Sequence, residues 1–352
     1  MTLSPPKELI GKSKTLRVSW NGTMREETLD RDGKVTLAVP GDVTDVPRKR
    51  PELEGSLSRF ITTPFALVVG TCSTDSLMRQ RCAEKAEAFA KQWEEWQHSR
   101  PRVFRDNEIT EAEAKQFSLL LIGGADANLV TRRIGGDLPL EVNSRAITIE
   151  GREFPVTDAV VQMIYPSPLN HDRYVEVVAG TSAAGLYFWN PLHWNSSFGY
   201  QTLTADWIIR DGKIVSLENG LGPQRGWVAE GSFDRHWRRD DRWIFPGDST
   251  LRAKGLLRHA PAPGIVVNQD SLNACVGIYE VYPGMVVKVV REGNRLIAHP
   301  PFGPPVELIA ESETEFGEKD TCTPVVFERD ARGKIAAIVV NNDGQVIRGK
   351  KL

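Results

Sequence analysis

The stretch MIYPSPLNHDRYVEVVAGTSAAG, Met163–Gly185, carries the reading on which the fold turns. Its first part completes DAVVQMIYPSP and its second is RYVEVVAG, two apolar runs that each end at a turn. Runs of this kind are what strands buried on both faces look like. The residues after Gly180 have helical character, so the stretch reads as strand, turn and helix start.

Working outward, the same reading recurs. PFALVVGTCS (Pro64–Ser73) is a buried-strand pattern ending in small residues, and LLLIGGADANLV (Leu119–Val130) repeats strand, glycine turn and helix start. Between them, Asp75–Ser99 has helical spacing, with Leu77, Cys82, Ala86, Phe89 and Trp93 on one face and Asp75 placed as the cap. TADWIIRDGKIV adds a late strand or hairpin. Strands alternating with helices predict an α/β domain, a mostly parallel sheet with helices on both faces. Ahead of it, Thr15–Pro40 alternates around Asn21-Gly22 and Asp32-Gly33, the signature of a β-hairpin leader. Beyond it, Leu251–Asp270 carries Pro261, Pro263 and Gly264 and reads as a linker. From there on, short strands separated by Gly-Asn, Arg-Gly and Asp-Gly turns predict an antiparallel barrel or sandwich. The expected division is a leader at 1–60, the α/β domain at 61–250, a linker at 251–270 and a β-domain at 271–352.

Composition narrows the function classes. Among 352 residues, 26% are charged and the formal net charge is −2, so neither nucleic acid nor an anionic membrane is expected as a partner. The visible N-terminus, MTLSPPKELIGKSK, lacks an apolar stretch, and no run reaches the roughly 20 apolar residues of a membrane span. A soluble, cytoplasmic chain is the expectation from these features. Cys72, Cys82, Cys275 and Cys322 show no CxxC spacing and no His at a ligand-like interval, so no metal is expected. Cys275 and Cys322 either pair in an oxidising compartment or stay buried thiols. No segment implies a cofactor.

Two resemblances rest on quoted residues. LNACVGIYEVYPGMVVKVVREGNRLIAHP, ELIAESETEF and PVVFERDARGKIAAIVVNNDG resemble the lipocalin-like β-domain of class C beta-lactamase-related serine hydrolases. Cys275 stands where that pattern usually has an aromatic. This likeness implies a small up-and-down barrel and says nothing of substrate. KRPELEGSLSRFITTPFALVVGT, FSLLLIGGADAN, MIYPSPLNHDRYVEVVAGTSAAG and GSFDRHW are similar to the region that follows the catalytic domain in bacterial prolyl-oligopeptidase-like or esterase-like proteins. That likeness spans residues of about 20 to 245. It implies an exported, periplasmic setting, against the visible N-terminus. It also places a catalytic domain upstream of Trp20, where fewer than twenty residues stand. The expectation is therefore a non-catalytic accessory or binding module that positions a substrate or a partner hydrolase domain.

The rival is a stand-alone serine hydrolase acting on an ester or peptide-like small molecule. Ser182 sits where a nucleophile elbow would, with His236 as base and Asp206, or Asp211, as acid. The plainer reading of Ser182 or Thr181 is a helix N-cap. A ligand site is expected where strand ends meet, at Gly70, Thr71, Gly123, Gly124, Gly180 and Thr181, because crevices there bind ligands in open α/β sheets. Cys72 at a helix start is either a reactive thiol or a buried one. Tyr187, Phe188, Trp189, Trp194, Phe198, Tyr200 and Trp207 form a dense aromatic set that reads as core, interface or pocket floor, with Trp227, Trp237 and Trp243 as further contacts for a partner.

Overall fold

The link between the two apolar runs decides their direction. In the computed structural model the runs occupy Ala159–Ser167 and Asn170–Gly180 and pair antiparallel, with only residues 168–169 between them. A parallel pair needs a crossover of a dozen or more residues, which this turn cannot supply.

The structure describes residues 2–11, 14–20, 23–37, 47–189, 205–215, 224–254, 256–257, 260, 265–319, 321–342 and 345–352. The chain divides into two units, Met1–Val46 and Pro47–Leu352. In the first, β1 (Thr2–Leu3) precedes α1 (Lys7–Ile10), followed by β2 (Thr15–Trp20), β3 (Thr23–Thr28) and β4 (Val35–Thr36). β2 and β3 form the expected hairpin, whose Asn21-Gly22 turn lies outside the described residues, and β1 pairs with β4. At the second turn, the Asp30 carboxylate accepts from the backbone N–H of Asp32 and of Lys34, both at 2.9 Å.

The second unit opens with β5 (Phe65–Val69), α2 (Ser76–Gln97), β6 (Arg102–Arg105), α3 (Glu111–Gln116), β7 (Ser118–Ile122) and α4 (Leu129–Ile134). There follow β8 (Leu140–Val142), β9 (Ala146–Ile149), β10 (Arg152–Pro155), β11 (Ala159–Ser167), β12 (Asn170–Gly180) and α5 (Ala183–Tyr187). Next come β13 (Trp207–Val215), β14 (Gln224–Phe233), β15 (Arg239–Pro246), α6 (Ser249–Lys254), β16 (Leu256–Leu257) and α7 (Gln269–Cys275). The last eight strands are β17 (Gly277–Tyr282), β18 (Met285–Glu292), β19 (Arg295–His299), β20 (Val306–Ala310), β21 (Glu315–Glu318), β22 (Pro324–Arg329), β23 (Ile335–Asn342) and β24 (Gln345–Lys351).

The expectation of a mostly parallel α/β sheet with helices on both faces is therefore corrected. A nine-stranded mixed sheet runs in the order β15-β14-β13-β11-β12-β7-β5-β6, with β16 beside β13. Only β12, β7, β5 and β6 are mutually parallel, and every pairing from β12 out to β15 is antiparallel. Taken over the whole unit, strand outweighs helix. α2 and α5 cover one face, where Phe65 meets Phe89 and Trp93 of α2 with ring centroids 5.9 and 4.9 Å apart, and Trp189, just past α5, stacks on Phe89. The opposite face takes the three-stranded sheet β10-β9-β8, through Phe154 against Trp207 at 5.5 Å. Burial on both faces erases the alternation by which an antiparallel strand is normally recognised.

Trp207 is wholly buried, and its ring occupies the place a side chain at Gly231 would need. A Cβ there would lie 2.3 Å from Cζ2 and 2.6 Å from Cε2 of that ring. Gly231→Ala is expected to lower stability by about 1–3 kcal/mol through overpacking. Urea denaturation checks this, and an unchanged midpoint would disprove it.

α2 is capped as its sequence indicates, the Asp75 carboxylate accepting from Leu77 N at 2.8 Å. In the segment 251–270, the end of α6 is followed by β16, which pairs with β13. Strands β17 to β24 close into an eight-stranded antiparallel barrel, filled by Tyr279, Leu296, Leu308, Phe316 and Phe327. α7 stands at its start, where Tyr279 Oη donates to Cys275 O at 2.7 Å and Lys351 Nζ to Ala274 O at 2.7 Å. No disulfide joins Cys275 to Cys322, and burial pushes the Cys275 thiol up to about 11. Among the described residues, no helix is long and apolar enough to cross a membrane.

Candidate functional site

The parallel strands share one C-terminal edge, and two buried polar side chains organise it. The connection from β5 through α2 leads to β6 on one side, whereas that from β6 through α3 leads to β7 on the other. The switch point thus lies between β5 and β7, where open α/β sheets usually bind ligands. Here the position is filled. Asn128 is fully buried, donating to Val68 O at 3.0 Å and Ile122 O at 3.2 Å while capping α4 at Val130 N and Thr131 N. The Asp106 carboxylate accepts from Thr71 N at 3.0 Å, from Thr71 Oγ1 and from Leu129 N at 2.8 Å. A Cβ on Gly70 would fall 2.6 Å from Ala127 O and 2.7 Å from Ile122 O. The turn after β7 has folded onto the end of β5.

The opening lies to one side, in a cleft of about 340 Å³. Gly124 and Ala125 form one rim, Thr131 and Arg132 of α4 another, and Glu141 of β8 a third, above Val177 and Ala179 of β12. Arg132 is fixed through Nε to Ala125 O at 2.7 Å and through Nη2 to Asp126 O at 3.3 Å and Cys72 Sγ at 3.2 Å. Burial raises the Cys72 thiol pKa, and Arg132 opposes that only in part. A thiol held up in this way is a poor nucleophile.

Of the six residues expected to hold a ligand, Gly124 lines the cleft. Gly70 and Thr71 are engaged in the contacts above, and Gly123 packs against Cys82 and Asn128. Gly180 ends β12, and Thr181 is buried against β11, its Oγ1 accepting from Ala159 N at 2.9 Å.

Ser182, His236 and Asp206 do not meet. Ser182 Oγ accepts from Gly185 N at 3.0 Å as the N-cap of α5 and donates to Asp158 Oδ1 at 2.5 Å. Asp206 lies beside Ile164, whose register partner is Glu176, four residues before Gly180. That separation is about 13 Å along the strand, and Ser182 lies beyond Gly180. Asp206 is buried, bonded to Lys49 Nζ and Phe233 N, and burial raises its pKa despite the lysine. His236 shares that far end, in the turn after β14, where its Nε2 accepts from Arg235 Nε at 2.9 Å. Asp211 pairs with Ala159 in β13.

No family model matches this chain, and neither does any curated protein. Among the described residues, no three His, Cys, Asp or Glu side chains converge as a metal ion would require.

Other polar residues stand where a strand-end reading does not look. Glu176, in the middle of β12, is 4% exposed, and burial pushes its carboxyl up to about 8. It accepts from Gln162 Nε2 at 2.6 Å, and Gln162 Oε1 accepts from Trp189 Nε1 at 3.2 Å. Three strands across the sheet, in β14, Glu230 is pushed up to about 7 by burial, with Arg210 opposing, and among the described residues its buried Oε2 has no hydrogen bond. Their only signal in the sequence is a polar letter inside an apolar run. Of the aromatic set, Tyr187, Trp189 and Trp207 are buried and Phe188 is half-buried, while Trp194, Phe198, Tyr200 and His193 lie outside the described residues. Trp237 is buried, Trp227 half-buried, and Trp243 on the edge strand is 55% exposed.

Proposed function

We propose that the chain is a non-catalytic binding module, which holds a small molecule at the C-terminal edge of its parallel strands and presents it to a partner hydrolase domain. The observation that supports this reading is the cleft beside α4, lined by Arg132, on a sheet whose elbow-like Ser182 is occupied as a helix cap. Catalysis by Ser182 needs a base within hydrogen-bond reach. Among the described residues, no histidine hydrogen-bonds Ser182; Asp206 and His236 stand at the other end of the strands, and Asp211, opposite Ala159, has no histidine from the sequence reading at its end.

A fluorophosphonate probe tests the reading against a stand-alone hydrolase. No modification of Ser182 is expected, and Ser182→Ala is expected to cost about 1 kcal/mol of stability as a lost cap without altering any background ester hydrolysis. Stoichiometric labelling at Ser182, or ester hydrolysis abolished by that substitution, would overturn the proposal.

A further inference from the structure

The same cleft carries two opposite charges that do not neutralise each other. Arg132 is held by backbone carbonyls and a thiol, and among the described residues it makes no ion pair and its Nη1 makes no hydrogen bond. Glu141 lines the cleft too, and it makes no hydrogen bond or ion pair among the described residues. Arg132 cannot swing toward Glu141 without giving up Ala125 O. Val177 and Ala179 of β12 add apolar lining to the same cleft. The volume, about 340 Å³, is at the small end of ligand sites, which run from about 300 to 1,000 Å³.

We infer that the cleft binds a small apolar α-amino acid as its zwitterion, the carboxylate on Arg132 and the ammonium on Glu141. This inference rests on the binding reading above and names the class of its ligand. Nη1 of Arg132, the guanidinium nitrogen left open by its existing bonds, gives a carboxylate a charge-assisted hydrogen bond, and the glutamate matches an ammonium that no simple acid or ester carries. The side chain rests on the valine and alanine of β12. Both protein charges are solvent-exposed, so binding is modest and sensitive to salt.

Calorimetric titration of the full chain with L-leucine, 4-methylpentanoate and 3-methylbutylamine tests this. Leucine is expected to bind one site, at least tenfold more tightly than either singly charged analogue. Arg132→Ala is expected to weaken leucine at least tenfold, and Glu141→Gln to abolish the preference for leucine over 4-methylpentanoate. Both residues lie at the surface, and unchanged thermal melting confirms that the variants fold. Equal binding of leucine and 4-methylpentanoate overturns the zwitterion and leaves a carboxylate-binding module. Leucine binding that survives Arg132→Ala, or no binding by any probe, overturns the inference. Labelling of Ser182 would instead remove the non-catalytic reading and leave the titration to stand by itself.

Discussion

Glu176→Gln is expected to flatten the pH dependence of stability, making the variant more stable than the parent at pH 9 and little different at pH 4.5. The Glu176 carboxyl is fully enclosed in β12, and burial lifts it from 4.5 to about 8. Between those values the folded state keeps a proton that the unfolded chain has released. Stability from this group is therefore complete below about 4.5 and is lost as pH rises through about 8. At about 1.4 kcal/mol for each pH unit, the loss amounts to about 5 kcal/mol. Glu230 acts in the same direction, its contribution falling away as pH approaches about 7. Glutamine at 176 still accepts from Gln162 Nε2 and never ionises. Urea midpoints measured from pH 4.5 to 9 should fall steeply for the parent and far less for the variant. Parallel curves for the two proteins would refute the assignment.

The second large effect concerns Asp106, which ties two loops to the sheet edge. Asp106→Ala is expected to lower stability by about 3 kcal/mol, because it removes a carboxylate, itself 5% exposed, that satisfies two part-buried backbone N–H groups and a hydroxyl. One of those donors, Leu129 N, opens α4, and Arg132 lies on that helix. Leucine affinity should therefore fall together with stability, although Asp106 itself does not line the cleft. Asp106→Asn is expected to lie between parent and alanine variant, since an amide offers a single acceptor oxygen to the same donors. A loss below about 1 kcal/mol in urea denaturation of Asp106→Ala would show that the loops hold without it.

The reach of the sequence differs between elements for physical reasons. In β17 to β24, turn residues recur every few positions, so strand number and antiparallel direction follow from chain length between turns. Asp75 announces its helix because capping is local, a side chain two residues from the N–H it satisfies. Ser182 shows the limit of such locality. Its cap is equally local, whereas its distance from His236 and Asp206 depends on which way β11 and β13 run. The buried glutamates show a different limit. Glu176 is one polar letter among valines, and its burial exists only because β7, β11 and the α2 layer surround it.

By itself the sequence indicated the leader hairpin, the buried strands β5, β7, β11, β12 and β13, the Asp75 cap and the turns of the C-terminal strands, since periodicity, glycine and cap chemistry act over a few residues; β6, β8 to β10, β14 and β15 carry no such pattern. It also determined that the C-terminal strands form a β-domain. Tertiary structure alone decided that the central sheet is mixed, that a folded loop fills its switch point, and that the open cleft lies beside α4 with Arg132 and Glu141 on its rims. Those outcomes rest on pairing and packing between segments far apart in the chain. An apolar run buried on both faces contributes the same hydrophobic free energy in either strand direction.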